Sequence, residues 1–179
     1  MTDRILIVYG TRYGSTGEIA EAMAKTAQEI GAHVDLINLK KQKPPKSPED
    51  YNLVVIGSGI QVGKWTKEPL EFIKKNLDTL SKTKTALFVV CGDAASPDKC
   101  DFAQITYLDK ILEEYPSLNP LSTGLFPGIF DFSKYNFAVR SLVKSIVKKE
   151  MEPGEEVPEK IDFRDWEMVN DWITKLVKM

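Results

Sequence analysis

The stretch Ile5-Leu6-Ile7-Val8-Tyr9-Gly10-Thr11-Arg12-Tyr13-Gly14-Ser15-Thr16-Gly17 decides the fold. Its first five residues are a continuous apolar run rich in β-branched side chains, the pattern of a strand buried on both faces. From Ser15 the period changes. Ile19, Met23, Ala27 and Ile30 recur on one helical face, Glu18, Glu21 and Lys25 fall elsewhere, and Gly31 stops the helix. The loop between strand and helix lies outside the carboxyl end of the strand, where open α/β sheets bind ligands. Thr11, Ser15 and Thr16 bring hydroxyl donors for phosphate oxygens. Gly14 permits a tight bend and close backbone approach, and the first-turn N–H groups carry the positive end of the helix dipole. Arg12 either adds charge or points to solvent. The same residues also suit an ordinary helix cap, with Glu18 completing a capping box from Ser15; the two roles are compatible.

Two other phosphate loops are excluded. A dinucleotide fingerprint needs G-x-G-x-x-G after the first strand, and Gly10 to Gly17 reads G-T-R-Y-G-S-T-G. The second strand ends in Lys40-Lys41 rather than in an acidic ribose ligand. A Walker loop needs G-K-[ST], and Gly63-Lys64 is followed by Trp65.

Outward from this stretch, strands and helices alternate. His33–Leu39, Leu53–Gly57, Thr85–Val90 and a segment within Ser117–Phe126 read as four further strands. A Gly-rich loop is expected from Ser58 to Thr66 with a helix after it through Leu80, another helix over about 102–115, and a Lys- and Pro-rich loop over 40–50. Such alternation predicts one doubly wound α/β domain over 1–179, with a five-stranded parallel sheet of order 2-1-3-4-5.

The rhythm breaks after the fifth strand. Residues 127–161 form an inserted segment with a helix expected over Tyr135–Lys149. Phe137, Val139, Leu142, Val143, Ile146 and Val147 would pack it on the body, and Arg140, Lys144, Lys148 and Lys149 lie on its polar face. Residues 127–150 carry five basic and two acidic side chains, and residues 152–167 carry seven acidic and two basic. A basic amphipathic helix followed by an acidic stretch also suits peripheral contact of 135–149 with an anionic membrane. The last helix starts near Asp165-Trp166, with Trp166, Val169, Ile173, Leu176 and Val177 on its inner face.

Composition narrows the function. The 179 residues are 42% hydrophobic and 28% charged with a net charge of −2. This is a globular mixture without the basic excess expected of a nucleic-acid binder. No apolar run approaches the roughly 18 residues of a membrane span, and MTDRILIVYG does not resemble a secretory leader. Cys91 and Cys100 match no metal-ligand spacing; two thiols point to a reducing, cytoplasmic setting. His33, the single histidine, has no partner for a metal site.

The loop Thr11-Arg12-Tyr13-Gly14-Ser15-Thr16 resembles the [ST]-x-x-G-x-T phosphate loop of the flavodoxin-like family. The resemblance extends over essentially the whole chain and implies FMN as cofactor. It implies cofactor-binding roles for Thr11, Arg12, Tyr13, Gly14, Ser15 and Thr16 at the phosphate. Ser58, Gly59, Ile60 and Gln61, with Trp65, belong to a first ring-binding loop whose glycines allow a peptide flip. Cys91, Gly92, Asp93, Ala94 and Ala95 form a second, in which no aromatic residue is present; Phe102 is the nearest. No side chain is expected to be catalytic, because the flavin ring carries the chemistry.

A closer resemblance is to the menaquinone-dependent protoporphyrinogen dehydrogenase type. It rests on Tyr9-Gly10-Thr11-Arg12-Tyr13-Gly14, on Gly57-Ser58-Gly59-Ile60, on the inserted segment and on Asp165-Trp166. It implies a porphyrin-type substrate and a quinone or redox partner protein. An electron carrier of flavodoxin type, serving a protein partner, is the alternative. On either account, removal of 127–151 is expected to spare FMN binding.

Overall fold

The change of period at Gly10–Ser15 appears as β1 over Arg4–Gly10 followed by α1 over Ser15–Glu29. The computed structural model describes residues 3–44 and 47–179; residues 45 and 46 of the expected Lys- and Pro-rich loop lie outside the described residues. His33–Asn38 is β2 and Leu53–Gln61 is β3. The chain then turns at Val62-Gly63 into the two-residue β4, Lys64–Trp65, before α2, Lys67–Leu80. β5 spans Lys84–Cys91. The next helical stretch comprises α3 (Cys100–Ala103), a wider π turn (Gln104–Asp109) and α4 (Lys110–Glu114). β6 is Ser122–Pro127, β7 is Ile129–Asp131, α5 is Phe137–Lys149, β8 is Lys160–Asp162 and α6 is Trp166–Val177.

The main sheet has the order β2-β1-β3-β5-β6, with every neighbouring pair on that path parallel, and β4 lies antiparallel beside β3. This is the expected 2-1-3-4-5 order of five long strands; β4, too short to be seen in the periodicity, only shifts the numbering. The inserted segment adds a second sheet, with β7 antiparallel to β8.

Strand side chains alternate between two buried layers. Ile5, Ile7, Tyr9, Val55 and Phe88 pack with α1 and α6, whereas Leu6, Val8, Ile56, Leu87 and Val89 pack with α2 and the α3–α4 stretch. Gly57 shows how closely the first layer is filled. A Cβ there would stand 2.0 Å from Cζ of Phe88, its register partner on β5. The Phe88 ring lies in that space and meets Phe126 and Trp172 edge-on, at centroid distances of 6.1 and 6.2 Å.

Two sequence expectations need correction. Trp166 is not on the inner face of α6. Asp165 is the N-cap, accepting the Met168 N–H at 2.9 Å, and Trp166 is 40% exposed beneath the Arg164 guanidinium at 4.7 Å. Trp172 is the tryptophan that enters the core layer. Nor is α5 packed on the body by its whole apolar stripe. None of its residues is buried. Val139, Val143 and Val147 are half-covered, and Phe137, Leu142 and Ile146 are 87%, 61% and 49% exposed.

Phe126 carries the aromatic cluster behind the sheet. Phe126→Ala should lower stability by about 3–5 kcal/mol, read as a fall in the urea midpoint with unchanged slope. A midpoint shift near zero would mean the cluster is not close-packed.

Candidate functional site

The carboxyl ends of β1, β3, β5 and β6 meet at one edge of the sheet, with Gly10 paired to Ser58, Gly59 to Val90, and Cys91 to Pro127. The site is built in the loops that leave this edge. In the first loop Gly14 takes φ 100° and is itself the N-cap of α1, with no side chain capping the helix. The capping-box role is therefore overturned. Glu18 is instead bonded to Arg164, which also holds Asp162. Thr11 Oγ1 accepts the Gly14 N–H at 3.0 Å and shapes the bend. Thr16 is 2% exposed. Ser15 Oγ is buried and has no hydrogen-bond partner, which costs free energy unless a ligand satisfies it. First-turn amides, an orphaned hydroxyl and the positive end of the α1 dipole thus converge, as an oxyanion requires.

Thr11, Arg12, Tyr13, Ser15 and Thr16 line a cavity together with Gly59, Ile60 and Gln61 from the second loop and Cys91 and Gly92 from the third. Arg12 Nη1 donates to Gln61 Oε1 at 2.5 Å, bridging the first two loops. The remaining sequence-predicted residues stand behind the cavity rather than in it. Gly14 bends the loop. The Ser58 hydroxyl is fully buried; it accepts the Thr66 N–H at 2.9 Å and lies 3.0 Å from Thr66 Oγ1. Trp65 is a core residue whose indole N–H donates to the Tyr107 carbonyl at 2.6 Å. Asp93 accepts from the Tyr107 hydroxyl at 2.8 Å, and Ala94 and Ala95 complete a short 3-10 turn. Positive φ angles in the second loop fall at Val62 and Gly63, not at Gly59.

The sequence offered the inserted segment as a hydrophobic wall but singled out none of the residues that form it. Gly128, Ile129, Phe130 and Tyr135 of the inserted segment line the same cavity. Tyr135 packs on Tyr13 with centroids 4.6 Å apart, and burial pushes its phenol pKa above the ordinary value. A Cβ on Gly92 would stand 2.5 Å from Cζ of Phe130, and one on Gly128 would stand 3.4 Å from Ser15 Oγ. Phe102, the aromatic nearest in sequence to the third loop, is 57% exposed and faces Tyr107 instead. The segment is therefore part of the site, not an appendage. The cavity holds about 90 Å³, below the roughly 300 Å³ at which small-molecule pockets begin. The hydroxyl loop forms one wall of the cavity, and Gly128, Ile129, Phe130 and Tyr135 form another.

Residues 6–156 match the family model described as the flavodoxin domain, and the chain belongs to that family. It is similar, at 28% identity over 177 residues, to protoporphyrinogen IX dehydrogenase [quinone] of Escherichia coli, covering 98% of this chain and 96% of that protein. Among solved structures it resembles oxidised flavodoxin 1 of Bacillus cereus, with a TM-score of 0.57 and 17% identity over 98% of this chain and 97% of that one. It also resembles Fusobacterium nucleatum flavodoxin bound to flavin mononucleotide, with a TM-score of 0.55 and 15% identity over 99% and 98% of the two chains.

Cys91 lines the cavity, yet burial pushes its thiol pKa up to about 12. Raised so far, the group stays a thiol throughout the neutral range and is a poor nucleophile. Iodoacetamide at pH 8 should leave Cys91 unmodified in the folded protein and label it in denaturant, by mass spectrometry. Equal labelling in both states would contradict its burial.

Proposed function

We propose that the chain binds FMN and acts as a flavin-dependent oxidoreductase of the protoporphyrinogen dehydrogenase kind, moving electrons from a porphyrin-type substrate to a quinone. The observation that carries this reading is the aromatic wall that residues 128–135 contribute to the cavity of the hydroxyl loop. A simple electron carrier has no use for such a wall, and the likeness to the Escherichia coli enzyme runs through it. The donor set suits a single terminal phosphate: three hydroxyls, the orphaned Ser15 Oγ among them, and amides at a helix start.

In this reading Thr11, Ser15 and Thr16 hold the phosphate. Backbone groups of Gly59 to Gln61 and of Cys91 and Gly92 meet the ring edges. Ser58 and Asp93 fix those loops from behind, through Thr66 and Tyr107. Phe130 and Tyr135 wall one side of the cavity and exclude water from it. When bound, FMN supplies the electron chemistry, which the surrounding residues tune by contact and dielectric.

The exposed Phe137, Leu142 and Ile146 of α5, with Lys148 and Lys149 beside them, suit peripheral contact with a membrane holding a quinone. Among the described residues, no helix is long and apolar enough to cross a membrane.

Ser15→Ala combined with Thr16→Ala should weaken FMN binding by about tenfold or more, measured by flavin fluorescence quenching, with the thermal midpoint nearly unchanged. Unaltered affinity would remove the phosphate assignment. An anaerobic assay of the FMN-loaded protein with protoporphyrinogen and a menaquinone analogue tests the reaction. Turnover is expected. No turnover, with ready reduction by a ferredoxin or a reductase, would favour the carrier.

A further inference from the structure

The inserted segment does more at the loop than wall off its ring end. Lys134, one residue before Tyr135, sends its ammonium back over the phosphate loop. Its Nζ donates to the Tyr13 carbonyl at 3.3 Å, and it would stand 3.8 Å from a Cβ on Gly14. Its other neighbour is Asp131, with Nζ 3.8 Å from Oδ2. The other oxygen of Asp131, Oδ1, accepts the N–H and hydroxyl of Ser133 at 3.2 and 2.5 Å, so Oδ2 is the one that faces the lysine. Arg12, the basic residue of the loop itself, is turned to Gln61 and the Tyr13 ring.

Gly14 has no side chain and a left-handed backbone, so the ammonium approaches the loop without obstruction. The Tyr13–Tyr135 contact holds the lysine's backbone in place. Ser15, whose hydroxyl is orphaned, is the residue after Gly14. A phosphate monoester carries nearly two negative charges at neutral pH. Hydroxyls and amides offset this only through dipoles.

We propose that Lys134 is the cation of the phosphate site, so that the inserted segment is a working part of cofactor binding. This rests on the FMN reading above. It reverses the expectation that the segment can be removed without affecting the cofactor. It also separates this chain's site from one made by the first loop alone: the phosphate is neutralised from the insert, and ordering of the insert is linked to occupancy of the loop.

The alternative is a strut, in which Lys134 merely ties residues 131–135 to Tyr13. The two roles differ in what they predict for a flavin without phosphate. FMN and riboflavin are titrated into wild-type protein, Lys134→Ala and Lys134→Arg, each at low and high salt. Wild-type protein should prefer FMN, with affinity that falls as salt rises. Lys134→Ala should weaken FMN about tenfold, leave riboflavin unchanged and flatten the salt dependence. Lys134→Arg should restore both affinity and salt dependence. Equal losses for FMN and riboflavin would mean a strut and overturn the proposal. So would unchanged FMN affinity in Lys134→Ala beside a wild-type preference for FMN. Wild-type protein that binds neither flavin would instead overturn the FMN reading, and this inference with it.

Discussion

Parallel pairing in register is the constraint on which the molecule depends. Because β1, β3, β5 and β6 run the same way and are paired almost residue for residue, their carboxyl ends finish together. Every loop leaving that edge is delivered to one place. The first helix then begins at a glycine with left-handed backbone and no capping side chain, so its amides and the Ser15 hydroxyl remain unspent. A sheet that must bury both faces requires helices on both sides, and the helix that closes the first crossover is the one whose open end faces the site.

The inserted segment uses this edge rather than extending away from it. It leaves β6 at Pro127, crosses the cavity with β7, turns through Lys134 and Tyr135, and returns through β8 to Arg164. That arginine is held by Asp162 and by Glu18 in the first turn of α1. The segment is thus tied to the first loop by Lys134, and the chain just beyond it is tied to α1 by Arg164. Its charge contrast is also settled partly within the molecule. Arg140 and Lys144 converge on Glu159 at 2.5 and 2.8 Å, which lowers the Glu159 pKa, and Lys99 reaches Glu150. Arg140 and Lys144 are thus answered by the acidic stretch, and the exposed apolar residues of the helix, with Lys148 and Lys149 beside them, are left as the unanswered feature.

Much of the fold was legible in the sequence, because burial on both faces leaves continuous apolar runs and helices leave a period near 3.6. The hydroxyl loop was legible for a similar reason: its glycine and hydroxyls are contiguous, so residues 11–16 stand out without tertiary information. The ring end was not legible. Trp65 and Asp93 sit in the right loops by position, but their side chains are taken up by Tyr107, 42 and 14 residues distant in sequence. Phe130 and Tyr135 sit in a segment whose local pattern says nothing about the cavity it crosses.

What the sequence by itself determined is the doubly wound class and the loop that starts α1, both of which follow from local periodicity and adjacent residues; the strand order came with that class. Tertiary structure alone decided which aromatics meet the site, why Glu18 pairs with Arg164 instead of capping, and where Lys134 places its charge. Those depend on contacts between segments more than a hundred residues apart, and no local pattern encodes a distance that only the folded chain closes.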